Sequence, residues 1–426
     1  MKSMQIRRNF TSTRRAGLLA LLAALIFAIA PRLYAQSTDM NRPKIRALTA
    51  FINLDPAHYQ DQVASTVAAL QKIKATFVKA GFEVQTLRLT TQPFPSYTKN
   101  LSDEQALAFF KDFDSLVAKD SLDVSIGPAM MRTGDDPHEA RLLARILAST
   151  QILEGTIVIA SDEGIHEDGI TEAASLIHYV ADNTPSSLGN FRFAAIAEVP
   201  PGAPFYPASY HLNGDHTFAI GLESANVVAA AMASARDPEQ AQKNIEQSLG
   251  KWAGQLEAIG NQAGEETGWK FTGIDLSPAP LKEVSIGGAI EGFTHEPLGS
   301  SGTLAAVAVI TSALANIRVT RVGYSGLMLP VLEDSVIARR WSEGRLSLSS
   351  LLLFSSVCGT GIDVAPLPGD TNEAQLSSIL RDVASLAYKW HKPLSARLLP
   401  VKGKKAGDHT DFQDPFLVNS VIQAVP

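Results

Sequence analysis

The stretch Ile45-Arg46-Ala47-Leu48-Thr49-Ala50-Phe51-Ile52, closed by Asp55-Pro56, and its counterpart Phe82-Glu83-Val84-Gln85-Thr86-Leu87-Arg88-Leu89 set the class of fold. Each is an apolar run of strand length, and between them the apolar residues recur with helical period. The alternation continues through runs at 122–126, 156–160 and 191–199, five strands in all. Local chemistry marks the helix starts. Asp55-Pro56, Asp136-Pro137 and Asp237-Pro238 each place an acid before an N1 proline, and Ser102-Asp103-Glu104-Gln105 is a capping box. The second half reads the same way, with strands at 218–222, 271–276, 317–322, 348–355 and 396–401. Its helices fall at 225–235, 238–259, 303–315, 332–343 and 372–390. Asp370 with Glu373 reads as the cap of the last of these. Ten strands alternating with helices predict parallel pairing and a helix-covered sheet, the α/β class.

Outward from this frame, the 426 residues are 45% hydrophobic and 19% charged, a globular composition. With a single cysteine, Cys358, the chain can form no intramolecular disulfide and no zinc site of several thiolates. Residues 1–35 read as a secretory signal: six basic residues and no acid, an apolar run from Ala16 to Ala30, and Leu33-Tyr34-Ala35 before Gln36. Arg7-Arg8 and Arg14-Arg15 resemble the twin-arginine type. The expected location is therefore periplasmic or extracellular, with no membrane association beyond the signal segment. Removing the leader takes six basic side chains and moves the formal net charge from −6 to −12, which excludes nucleic acid as a natural partner. The mature chain is expected as two α/β halves, 36–199 and 200–426, the second carrying the site. Self-association stays open.

Candidate chemistry concentrates in the loops of the second half, where active groups of α/β proteins gather beyond the carboxyl ends of strands. Ser355-Ser356-Val357-Cys358-Gly359-Thr360-Gly361-Ile362-Asp363 offers a thiol between an apolar run and two glycines. Cys358 is either a nucleophile with backbone N–H groups for an oxyanion or a buried small hydrophobe. Asp363, unlike the other loop acids, has no helix to cap. Pro204-Phe205-Tyr206-Pro207-Ala208-Ser209-Tyr210-His211, followed by Gly214-Asp215-His216, combines stiff prolines and aromatics with two imidazoles suited to a general base or a metal ligand. Arg397 in a strand is a bidentate clamp for a carboxylate, while Asp215 and Asp408 are oxygen donors for a divalent cation, the one cofactor considered. Glu333, Asp334, Tyr210 and Ser325 complete the substrate-contact candidates.

Three groups of residues carry a resemblance. Pro204 to His211, the string Gly323-Tyr324-Ser325-Gly326-Leu327-Met328-Leu329-Pro330-Val331-Leu332-Glu333-Asp334, and Val357-Cys358-Gly359-Thr360-Gly361 with Pro366-Leu367-Pro368-Gly369-Asp370-Thr371 together resemble the domain of unknown function 711 family, also called uncharacterised protein family 0210. The likeness covers nearly all of the mature chain. It implies a fold similar to the pyruvate formate-lyase-like glycyl-radical enzymes: a ten-stranded α/β barrel of two five-stranded halves, helices outside and the Cys358 loop inside. It brings no activity with it. Arg321-Val322-Gly323-Tyr324 is one residue short of the radical-glycine signature and precedes the cysteine, so no glycyl radical is expected.

The reading that joins these features is an exported enzyme acting on a small polar metabolite, with Cys358 as nucleophile or acid, His211 or His216 as base, Asp363 beside them and Arg397 as clamp. Its alternative is a non-catalytic small-molecule binding or sensor protein on the same frame. As a nucleophile, Cys358 is expected to react with iodoacetamide in the folded protein at a rate that rises well below the free-thiol pKa of about 8.5. Labelling that begins only on unfolding gives the cysteine a structural role.

Overall fold

Strand β1, Lys44–Ile52, is buried on both faces along almost its whole length, and β10, Leu394–Val401, along all of it. Between them in the chain lie β2 (Val84–Thr91), β3 (Leu122–Pro128), β4 (Leu153–Ser161), the short β5 (Gly164–Ile165), β6 (Phe193–Ala197), β7 (Thr217–Glu223), β8 (Lys270–Ala279) and β9 (Gly361–Pro368). All belong to one sheet in the order β8-β7-β1-β2-β3-β4-β6-β10-β9, with β5 paired to β4. This computed structural model describes residues 41–212, 214–357 and 359–425, and Pro43–Pro426 make up one compact unit. The signal segment 1–35 and Cys358, with the call that its loop lies inside a barrel, fall outside the described residues.

The strand directions divide the sheet. β1, β2, β3, β4 and β6 form one parallel block. The pairs β7-β8 and β9-β10 are each parallel within themselves and join that block antiparallel, one through β1 and the other through β6. No ladder joins β8 to β9 among the described residues. An irregular segment touches both edges instead. Ile274 N–H donates to the carbonyl of Thr320, Val322 N–H donates back to Ile274, and Val331 N–H donates to Asp363 on β9.

The helices flanking the sheet are α1 (Tyr59–Lys79), α2 (Asp103–Ala118), α3 (Pro137–Ser149), α4 (Glu167–Asn183), α5 (Ala225–Ala233), α6 (Pro238–Thr267), α7 (Ile286–Thr294), α8 (Thr303–Asn316), α9 (Ser335–Ser342), α10 (Leu348–Val357) and α11 (Glu373–Trp390). Alternate strand residues such as Ile45, Leu48, Leu87, Leu89, Val124 and Ile157 pack with helix residues such as Leu70, Phe110 and Ile146 in one large core. The other set faces the opposite side, which we call the inner face. There Val158, Ala194 and Ile196 meet Val199, Ala203, Ala208 and Tyr210, so the Pro-rich loop after β6 lies against the inner face. Polar strand residues fasten it. Thr49 donates to the carbonyl of Pro204 (2.8 Å) and Ser125 to that of Ser209 (2.6 Å), while the Tyr206 hydroxyl donates to Leu89 (2.6 Å).

The prediction of ten strands is met in number but not in membership. Residues 348–355 are helical in α10: Leu348, Leu351, Phe354 and Ser355 form its buried face, and Ser347 and Ser350 cap its start reciprocally. A run of leucines and serines with no β-branched residue has no strand preference to set against that cap. Residues 317–322 reduce to one parallel bridge between Arg321 and Ile274. The strands the sequence hid are the two-residue β5 and β9, whose Pro366 and Pro368 argue against a ladder. Strand β9 lies at a sheet edge, where a missing N–H is tolerated. Asp136, Asp237 and Ser102 cap as predicted. Asp55 instead closes a turn, accepting from Ala57 N–H, and α1 starts at Tyr59. Asp370 gives way to Asn372, which forms a capping box with Gln375.

The irregular segment is held by a buried acid. Asp275 accepts from Ser277 N–H and Oγ and from the N–H groups of Tyr324 and Ser325. Gly323 passes directly over this carboxylate with φ +63, and a Cβ there would collide with Oδ2. A Gly323→Ala variant is expected to lose about 2–4 kcal/mol of stability, through strain and the displaced carboxylate. Urea unfolding checks this; a loss below about 0.5 kcal/mol contradicts the anchoring role.

Candidate functional site

A cavity of about 380 Å³ opens on the inner face. Its polar wall is built strand by strand: Arg46 from β1, Arg88 from β2, Asp123 from β3, Glu154 from β4, Asp363 from β9 and Arg397 from β10, with Glu333 from the segment before α9. On β1, β3 and β4 these residues sit near the amino ends, the opposite end from the one the α/β rule favours. Each points inward because its neighbours point outward. Ile45, Leu87, Leu122 and Leu153 belong to the helix-side core, and the pleat sends the adjacent residue to the other face.

Arg397 is the best-held charge. Its Nε donates to Asp363 Oδ1 at 2.7 Å and its Nη2 to Glu333 Oε2 at 2.9 Å, and the guanidinium lies 4.8 Å from the centre of the Phe191 ring. Burial opposes this charge, but the two carboxylates outweigh it and raise the pKa further above the usual arginine range. The sequence offered Arg397 and Glu333 as substrate contacts and Asp363 as a catalytic group; the structure brings all three together and bonds both carboxylates to Arg397.

Arg46 and Arg88 keep free donors among the described residues. Arg88 donates from Nε to Thr86 Oγ1 (3.0 Å), stands 3.9 Å from Asp123 and lies over Tyr206 at 4.7 Å. Arg46 lies over Phe416 at 4.7 Å and makes one long bond, Nη1 to Gln85 Oε1 at 3.4 Å. Burial lowers its pKa, Arg88 and Arg397 add to that, and Glu333 and Glu223 oppose it. Among the described residues the Glu154 side chain has no hydrogen-bond partner. Burial and the nearby Asp123 push its pKa up to about 8 against the pull of Arg88, Arg397 and Arg192, so it carries a proton at neutral pH. Arg192 is taken up structurally, donating to the carbonyls of Leu147, Thr150 and Leu153.

The remaining predicted residues lie elsewhere or do other work. His211 is buried near Phe51, its N–H donating to Thr91 and its Nε2 unpartnered among the described residues. Burial lowers its pKa, with His216 adding to the effect. His216 is exposed and lies against Trp269. The two imidazoles are close enough to interact, but neither lines the cavity. Tyr210 donates to the carbonyl of Val199, and Ser325 Oγ bonds Val322 and Leu276. Asp334 joins two helices: it accepts from Ser285 Oγ and the N–H groups of Ile286 and Gly287 at α7, and from Val336 and Ile337 at α9. Asp215 is exposed, and exposed Asp408 accepts from Lys405 N–H in its own loop. Among the described residues no three metal-ligating side chains converge, and no helix is long and apolar enough to cross a membrane.

Sequence reading missed Arg46, Arg88 and Glu154. The signal was present, since each stands between apolar neighbours inside a largely buried strand, which has little solvent for a charge.

Comparison with known proteins agrees in one direction. The family model described as Uncharacterised ACR (DUF711) matches residues 37–413. A UPF0210 protein of Pyrobaculum aerophilum is 30% identical over 400 residues, covering 86% of this chain and 87% of that protein. A UPF0210 protein of Methanococcoides burtonii is 28% identical over 398 residues, with 86% and 87% covered.

The protonated Glu154 gives a pH signature. Its folded pKa of about 8 exceeds the ordinary 4.5, so its proton stabilises the folded chain fully below about pH 4.5, and that contribution is lost as pH rises through about 8. Glu154→Gln has no such loss. The melting temperature of the variant relative to the wild type is therefore expected to rise between pH 5.5 and 8.5, and a constant difference contradicts the assignment.

Proposed function

Taking as premise that this chain belongs to the uncharacterised DUF711 family, we propose that it is an enzyme acting on a small polar metabolite in the inner-face cavity. The observation that carries this reading is the placement of Glu154, whose pKa burial and Asp123 push up to about 8, in one cavity wall with Arg88 and the Arg397 triad. A perturbed acid beside fixed charges in a concave pocket is the usual signature of proton transfer. Glu154 gives or takes the proton, Arg46 and Arg88 hold the substrate, and Arg397 is fixed by Asp363 and Glu333 as a permanent charge at the rim of the reacting volume. The base first sought in His211 or His216 is thereby replaced. Cys358 keeps its proposed role as nucleophile or acid on the strength of its sequence, and Thr360, two residues after it, lines the cavity.

Two finer features belong to the same reading. The segment 320–331 bonds both β8 and β9, which supports a sheet rolled into a barrel with this segment as the irregular last stave. The basic and apolar composition of residues 1–35 supports export.

A binding or sensing protein is the second reading, favoured by one observation: no histidine lines the cavity. A thermal-shift panel of small polar metabolites followed by proton NMR separates the two. A saturating ligand at a hundred times its Kd stabilises by about 2.7 kcal/mol. As an enzyme, the protein is expected to convert such a ligand, and Glu154→Gln to slow conversion at least about a hundredfold, the usual scale of general acid–base catalysis. A ligand recovered intact supports the second reading. Unchanged turnover in the variant overturns Glu154 as the proton carrier.

A further inference from the structure

The charge layout of the cavity narrows the ligand class, and this inference rests on the cavity being the ligand site. Arg397 is already paired with two carboxylates, whereas among the described residues Arg46 has no carboxylate oxygen within 4 Å and offers Nε and Nη2 free of hydrogen bonds. Among the described residues Arg88 hydrogen-bonds through Nε alone and offers both Nη groups. Each of these two guanidiniums rests on an aromatic ring, Phe416 or Tyr206, which fixes its plane and leaves its edge for a planar acceptor.

Both acids and further guanidiniums surround this pair. Arg46 feels Glu333, Arg88, Glu223 and Arg397; Glu154 feels Asp123, Arg88, Arg397 and Arg192. Arg88 thus stands between an end with an unpaired cation and an end with a carboxyl group and Asp123. A second anionic group on the ligand would meet Asp123, Asp363 and Glu333, and so would the extra charge of a phosphate dianion. A hydroxyl or amine there would find acceptors.

We propose that the ligand is a small amino or hydroxy acid whose carboxylate is clamped by Arg46 and Arg88 and whose hydroxyl or amine faces Glu154 and Asp123. The fork geometry of guanidinium matches a carboxylate with two parallel hydrogen bonds, and the aromatic rings keep both forks in place before the ligand arrives.

Calorimetric titration of the full chain with glycine, L-serine, glycolate and L-lactate, beside inorganic phosphate and glycerol, tests this. At least one of the four acids is expected to bind saturably, with Arg46→Met and Arg88→Met each weakening it at least tenfold while the melting temperature stays near that of the wild type. If a methionine variant fails to fold, Arg46→Lys keeps the charge and the stem but loses the fork, and unchanged affinity in it overturns the clamp. Saturable binding of phosphate or glycerol, lost in the same variants while the acids do not bind, overturns the ligand class and leaves the cavity as a ligand site. Binding of none of the six probes overturns both.

Discussion

A sheet buried on both faces leaves its polar strand residues no route to bulk water, and most of the architecture answers that constraint. On the helix side the answer is an apolar core drawn from alternate residues of each strand. On the inner side the chain retains charges and satisfies most of them internally. An unpaired buried charge costs several kcal/mol, and breaking a buried pair costs about 3–5 kcal/mol. Arg397 therefore holds Asp363 of β9 and Glu333 of the preceding segment, joining parts of the chain that no strand ladder connects.

Buried carboxylates do the same organising work in the irregular region of the second half. Asp275 gathers the turn at Tyr324 and Ser325 onto β8. Asp334 receives backbone N–H groups from the starts of both α7 and α9 and so fixes one helix against the other. Both sit where their neighbours offer N–H or O–H donors, which is how an acid in a dry interior is kept without a cation. These two acids hold the segment that borders the cavity.

Against this background the incompletely paired groups stand out. Among the described residues Arg46 retains most of its donors and Arg88 two terminal nitrogens, while burial holds the Glu154 pKa up. Arg397, Asp275 and Asp334 are each bonded to several partners, whereas these three line one cavity with few. The imidazoles of His211 and His216 differ, one packed beside Phe51 and the other lying on Trp269 outside the cavity.

The sequence by itself determined the α/β class, eight of the ten strands, the caps at Ser102, Asp136 and Asp237, and the family. Those features depend on hydrophobic period and on hydrogen bonds between residues near in the chain, which a linear pattern records. It also singled out Arg397, Glu333 and Asp363, though not that they bond to one another. Only the tertiary structure decided that 348–355 is a helix, that β9 survives its prolines at a sheet edge, and that Asp334 caps α9. It alone assembled Arg46, Arg88 and Glu154, because residues far apart in the chain become one wall only when parallel pairing sets their register and the pleat turns them to the same face.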